Sequence, residues 1–429
     1  MLVTSTGQRR RDSCADVGVH EHLAEYATRT PEHVAIRAGD RKLTYRQLNT
    51  RSEELAVRLH AAGVTRDRAV GVLLERSAEF VLAALAVLKA GGCYVPLDPR
   101  CPGRRVDTMM HVAGLSLVIT RADLRHRLGD RAAAVLLVDS SDQPEPGDGA
   151  DEPAVGGLSC HPFELACALF APGTSGTPVA VAIRHCGISR LASDPACARL
   201  DASQVMASTA QPWCDSSLLE IWGVLANGGT VALAPPGRRL TGRRLARFLR
   251  AEGATCAVLT AELFDAMTDT CLDGLAGLDQ LIVTVGTMTP RSASRFLQAY
   301  PESRLVNGYG PTEATAFATS RTVTAQDARG PRIPIGRPTG GNWIEILDED
   351  LDPVPPGVPG RLYAGGIGLA RGYLRDTVRT AERFIPDPWG RGERLFATGD
   401  RAVYRADGAI DLLGPADPQP HEPQPWPTR

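Results

Sequence analysis

Apolar residues recur along this chain in two rhythms, which alternate over most of its length. Thr44 and Gln47 have capping-box spacing, Leu48, Leu55 and Leu59 form an apolar stripe, and Gly63 supplies a stop, so the stretch predicts a helix. The continuous apolar run Ala69-Val70-Gly71-Val72-Leu73-Leu74 then predicts a buried strand. A wholly apolar helix is expected over 80–90, ended by Gly91-Gly92. Runs at 115–120, 134–138, 165–171, 231–234, 256–260 and 281–285 continue the alternation. The pattern predicts an α/β protein with mainly parallel sheets over residues 17–330.

Two stretches break the rhythm. Residues 139–158 are acidic and rich in Gly and Pro, which predicts a surface loop. From about residue 331 short strands and turns take over, at 343–347, 361–364 and 409–413, which predicts a small β subdomain over 331–414. Residues 1–16 are expected to be a disordered polar tail and 415–429 a proline-dense one. Arg9-Arg10-Arg11 has no apolar stretch behind it, so no secretory signal is expected.

Composition narrows this picture only where it departs from the ordinary. With 429 residues, 43% hydrophobic and 22% charged, the chain can bury a large core. A net charge of -2 gives no reason to expect nucleic acid or a membrane surface as partner, and no apolar run reaches about 18 residues. Ten cysteines (Cys14, Cys93, Cys101, Cys160, Cys167, Cys186, Cys197, Cys214, Cys256 and Cys271) form no CxxC pair and have no histidine at zinc-ligand spacing. They read as packing residues in a reducing, cytoplasmic compartment. Among 47 basic residues only Lys42 and Lys89 are lysines, an arginine bias of the kind GC-rich coding produces. No ammonium side chain follows residue 89.

Three short segments carry candidate chemistry. In Gly173-Thr174-Ser175-Gly176-Thr177-Pro178, two glycines let backbone N–H groups approach phosphate oxygens and three hydroxyls add donors, although no GK[ST] follows. In Asn307-Gly308-Tyr309-Gly310-Pro311-Thr312-Glu313, after an expected strand at Arg304-Leu305-Val306, Tyr309 offers a ring for a base and Glu313 a carboxylate suited to Mg²⁺. The same string also fits an ordinary turn at 309–312. In Thr398-Gly399-Asp400, the Asp is placed to accept two ribose hydroxyls.

In this order, the segments resemble the amino-acid adenylation domains of nonribosomal peptide synthetases, within the adenylate-forming superfamily. Supporting the resemblance are Leu43-Thr44-Tyr45-Arg46-Gln47-Leu48, Leu88-Lys89-Ala90-Gly91-Gly92-Cys93-Tyr94-Val95-Pro96-Leu97-Asp98, Cys214-Asp215-Ser216-Ser217 and Gly368-Leu369-Ala370-Arg371-Gly372-Tyr373-Leu374. It covers roughly residues 19–417 and implies the large N-terminal core of that fold. By resemblance, Gly173, Thr174, Ser175, Gly176 and Thr177 contact the phosphates of ATP. Asn307, Gly308 and Tyr309 frame adenine, Asp400 binds ribose and Glu313 holds Mg²⁺. Asp215 takes the α-amino group of an amino-acid substrate, a role compatible with capping a helix over 218–224. The implied pocket wall is Ser216, Leu219, Val258, Val283, Val285, Gly308, Ala316 and Phe317, an apolar lining suited to a small or medium aliphatic side chain, with room at Gly308 and Ala316.

The sequence also departs from the family. Its phosphate loop ordinarily ends Pro-Lys-Gly, and here Val179 and Ala180 follow Pro178, with Ala171-Pro172 at the entry. Leu412 and Pro415 stand where an aromatic residue and an arginine are expected, while the hinge aspartate is kept as Asp417. A C-terminal subdomain of about a hundred residues, carrying a further lysine, is not part of this sequence. Losing one such cation costs a factor of ~10²–10³, and Arg184 is the nearest replacement after the loop. The implied function is ATP-dependent amino-acid activation, with a C-terminal subdomain in trans and a carrier protein or small helper protein as partners. The alternative is a non-catalytic ATP- or amino-acid-binding or docking module of a synthetase assembly. An acyl-CoA ligase for a non-amino acid is disfavoured, because Asp215 would then be a buried anion without an ammonium partner.

Overall fold

The computed structural model describes residues 17–128, 134–138, 160–172, 177–237, 240–390 and 392–416. These form three sheets. A nine-stranded sheet has the order Arg337–Pro338, Thr319–Thr322, Arg304–Tyr309, Gln280–Thr284, Cys256–Thr260, Val205–Ser208, Thr230–Leu233, Val34–Ala38 and Arg41–Thr44. Its six central strands are parallel and its edges antiparallel. A seven-stranded sheet has the order Gly372–Tyr373, Val179–Arg184, Leu165–Ala171, Cys93–Leu97, Ala69–Leu73, Leu117–Thr120 and Ala134–Leu137. Five of its strands are parallel. The third sheet is antiparallel, with Asn342–Leu347, Gly360–Gly366, Arg394–Tyr404 and Phe384–Pro386 in order and Ile410–Pro415 paired to Arg394–Tyr404.

The apolar residues sort into layers that explain why the strands read as continuous runs. One core lies between the two large sheets: it joins Ile36, Val231, Val258, Ile282 and Val306 to Val70, Val72, Leu169, Val181 and Ile183. Helix Ala78–Lys89, buried at nearly every position, helps fill this layer. A second core packs the outer face of the nine-stranded sheet against helices Gly242–Glu252, Ala261–Thr270 and Pro290–Ala299. A third packs the outer face of the seven-stranded sheet against helix Gly103–Ala113. Strands covered on both faces need no polar alternation.

Local signals behave as read. Thr44 caps helix Tyr45–Ala61 and makes both capping-box hydrogen bonds with Gln47. Beyond residue 331 the structure adds three features the pattern missed. Arg337–Pro338 and Gly372–Tyr373 pair with the two large sheets. Helix Thr377–Arg383 has no buried residue, so it left no apolar stripe to detect. The acidic loop 139–158 and both tails lie outside the described residues, apart from Pro415 and Ala416. No helix among the described residues is long and apolar enough to cross a membrane.

Candidate active site

Strand Arg304–Tyr309 runs three residues beyond its expected end at Val306, because Gly308 and Tyr309 pair with Ser320 and Thr319. That continuation fixes which way the side chains point. Val283 is partnered by Asn307 and Leu259, whereas Val258 is partnered by Ile282. Alternation therefore turns Val283 and Asn307 towards the outer helices, and Val258 towards the layer between the sheets. Asn307 donates from Nδ2 to the Pro334 carbonyl at 2.9 Å. Gly308 faces the other way, against the Phe317 ring, which a Cβ would meet at 2.6 Å. The room expected at Gly308 is thus filled by Phe317.

The structure gathers the other residues more closely. Tyr309 donates from its hydroxyl to Asp400 Oδ2 at 2.6 Å, across 91 residues of sequence. Thr312 donates from Oγ1 to Asp215 Oδ2 at 2.8 Å. Tyr373 donates from its hydroxyl to Glu313 Oε1 at 2.7 Å. Burial pushes the Asp215 carboxyl above its ordinary range, opposed by the Thr312 hydroxyl and the Ser216 N–H. Burial also raises Glu313, opposed chiefly by Tyr373, and the Asp215 charge adds to the rise. Among the described residues neither carboxylate has an ion-pair partner. Two desolvated anions arranged in this way favour binding of cations.

Asp215 immediately precedes a helical stretch over 216–225 whose middle, Leu218–Gly223, is a π-type turn; its carbonyl accepts from the Leu218 N–H and its carboxylate from the Ser216 N–H. The same carboxylate also accepts from Thr312, so a place at the helix start is compatible with facing the site. Two buried residues that no motif reading identified shape the same region. Glu220 accepts from the Ser208 hydroxyl and the Ala210 N–H, and Arg76 donates to the carbonyls of Thr209, Ala210, Ala234 and Pro235.

Past Glu313 the backbone is strained, with Thr315 at φ 54° and Ala316 at φ 68°. Such conformations cost about 1–3 kcal/mol each and persist only where surroundings impose them. Here the Thr315 hydroxyl is held by the Gly368 carbonyl, and Arg190 donates to the Thr315 carbonyl and to Thr339 Oγ1. Of the remaining pocket residues, Leu219, Val258, Ala316 and Phe317 are buried and Ser216 is half-buried. Val285, at φ 54°, is 63% exposed.

Of the expected phosphate loop the structure describes only the flanks. Gly173, Thr174, Ser175 and Gly176 lie outside the described residues, as does Asp417; Thr177 is exposed. The flanking strands form a hairpin closing at Ala171 and Val179. Val179 and Ala180, where the family's lysine and glycine are expected, are buried in apolar cores. Arg184 stands at the opposite end of this strand, about 17 Å from Val179 at ordinary strand rise. There it donates to the Leu369 carbonyl at 2.6 Å and covers the Phe163 ring. It is therefore not a replacement cation. Lys89 is buried, bound to Asn49 and Glu53. Leu412 and Pro415 pair with Ala402 and Asp400.

Comparison with known proteins agrees with this geometry. Residues 23–374 match the family described as AMP-binding enzyme. Tyrocidine synthase 3 of Brevibacillus parabrevis is 34% identical over 94% of this chain, which spans 6% of that protein. Phosphinothricin tripeptide synthetase PhsC of Streptomyces viridochromogenes is 38% identical over 94% of the chain, which spans 36% of it. PA1221, a solved nonribosomal peptide synthetase protein containing adenylation and PCP domains, superposes with a TM-score of 0.83 at 30% identity, covering 94% of this chain and 69% of that one. The chain therefore belongs to the AMP-binding enzyme family, and its likeness is to the adenylation domains of nonribosomal peptide synthetases.

Proposed function

We propose that this chain is an adenylation core that activates an amino acid with ATP. The observation that carries the reading is the pairing of Asp215 with Thr312, one residue from Glu313; it supports a role for the first carboxylate in binding ammonium and for the second in binding metal. Asp215 orients the α-ammonium group, and the substrate carboxylate is thereby directed at the α-phosphorus. One carboxylate oxygen forms the new P–O bond, the bond to the β-phosphate oxygen breaks, and pyrophosphate leaves. Tyr309 and Asp400 hold the nucleoside. Glu313 suits Mg²⁺, being a buried hard-oxygen carboxylate whose Oε1 is oriented by the Tyr373 hydroxyl. A magnesium ion held there supplies positive charge to the phosphates. The buried apolar residues beside Asp215 support an aliphatic substrate, and the likeness to an adenylation–PCP protein supports transfer to a carrier thiol.

A second reading, binding without turnover, is favoured by one observation: Val179 and Ala180 offer no cation, and Lys89 is sequestered. Amino-acid-dependent exchange of pyrophosphate into ATP separates the two, run across the proteinogenic set with and without an added C-terminal subdomain. Exchange with one or a few aliphatic amino acids supports the enzyme. Its absence under both conditions overturns it.

A further inference from the structure

A cluster outside the nucleotide site brings together three side chains that sequence spacing kept apart. His20 lies in the first turn of helix Val19–Arg29, His185 opens helix His185–Ser193, and Cys160 precedes the strand Leu165–Ala171. One ligand atom from each lies within 4.8 Å of the others. All three are buried, at 2%, 7% and 1% exposure for His20, Cys160 and His185. The imidazole rings meet edge to face at 5.5 Å between centroids. Glu21 borders the cluster, its Oε1 accepting from the Cys160 thiol at 3.6 Å, the Cys160 N–H at 3.2 Å and the Gly18 N–H at 3.3 Å. Nδ1 of His185 has no hydrogen-bond partner, an unsatisfied donor–acceptor position in a water-excluded site.

We propose that His20, Cys160 and His185 form a zinc-binding site. Two imidazoles and a thiolate are ligand types that zinc takes, and three protein ligands leave its fourth tetrahedral position to a water or other small ligand. The thiol proton leaves to solvent as the S–Zn bond forms, while the Glu21 carboxylate, held by the Gly18 and Cys160 N–H groups, stays beside the ion. The ligands come from chain segments 140 and 25 residues apart, so the ion ties the N-terminal helix to the hairpin that carries 173–178. Gly18 leaves the space: a Cβ there would collide with Cys160 Sγ and lie 2.9 Å from the His20 ring.

The test uses the whole chain, stripped with chelator, then given Zn²⁺ or Co²⁺ and passed through gel filtration. About one metal ion should remain per chain, and the cobalt form should show the intense near-ultraviolet band of a thiolate ligand. Zinc should raise the melting temperature. Cys160→Ser should abolish the thiolate band, whereas Cys101→Ser should keep it. Circular dichroism and the melting temperature of the metal-free variants show that each has folded. A His185→Gln variant provides an independent check by losing the retained ion. Metal content far below one per chain, or an unchanged cobalt spectrum in a folded Cys160→Ser variant, overturns the proposal.

Discussion

The two ends of the proposed nucleotide site are built differently. At the end formed by 307–313, side chains from distant segments converge: Tyr309 meets Asp400, Thr312 meets Asp215 and Glu313 meets Tyr373. At the other end the described flank of the phosphate hairpin contributes Val179 and Ala180, whose side chains feed apolar cores. On the proposed reading the first end positions the adenosine and the amino group, whereas Val179 and Ala180 bring no charged side chain to the second. On that reading binding and turnover rest on different groups and are separable.

Asp215→Asn should break the first end most severely, reducing exchange by a factor of ~10² or more while the protein stays folded by circular dichroism. Loss within threefold would show that the carboxylate does not hold the substrate. Gly310→Ala comes next. Its Cβ would lie 2.5 Å from the Ala316 carbonyl oxygen and the Ala318 nitrogen, backbone atoms that cannot rotate away. A loss of about 1–3 kcal/mol in denaturant unfolding is expected.

Tyr373→Phe sharpens the comparison through pH. The Tyr373 hydroxyl opposes the upward shift that burial imposes on Glu313. The ionised carboxylate is the metal-binding form, so activity is present above its pKa and lost as pH falls through it. Removing the hydroxyl raises that pKa, and the acid limb of exchange should move to higher pH. An unmoved limb would detach Glu313 from the chemistry. Arg184→Ala should do least: exchange should stay within about twofold, because the guanidinium is committed to Leu369 at the far end of the strand. A large loss would restore it as a phosphate ligand.

Much of the fold was legible because its strands are covered on both faces. Leu165–Ala171 and Cys256–Thr260 appear as uninterrupted apolar runs with the same bounds as in the structure. The site was legible as an ordered set of motifs, but not as geometry. A motif string does not say that Asn307 and Gly308 face opposite ways, which follows from strand continuation to Tyr309. Nor does it show that Tyr373 reaches Glu313 across 60 residues. The histidine–cysteine cluster escaped for the same reason: ligand-spacing rules see local pairs, and these three residues meet only through packing.

The central claim is that Asp215 reads an ammonium group beside the nucleotide, and a binding measurement tests it without requiring turnover. Sulfamoyl-adenosine conjugates of an aliphatic amino acid and of the same acid lacking its amino group can be titrated by calorimetry against the protein and its Asp215→Ala variant. The account predicts that the protein prefers the amino form by about tenfold or more, and that the variant loses this preference while still binding both conjugates. An equal preference in the protein and the variant would contradict it.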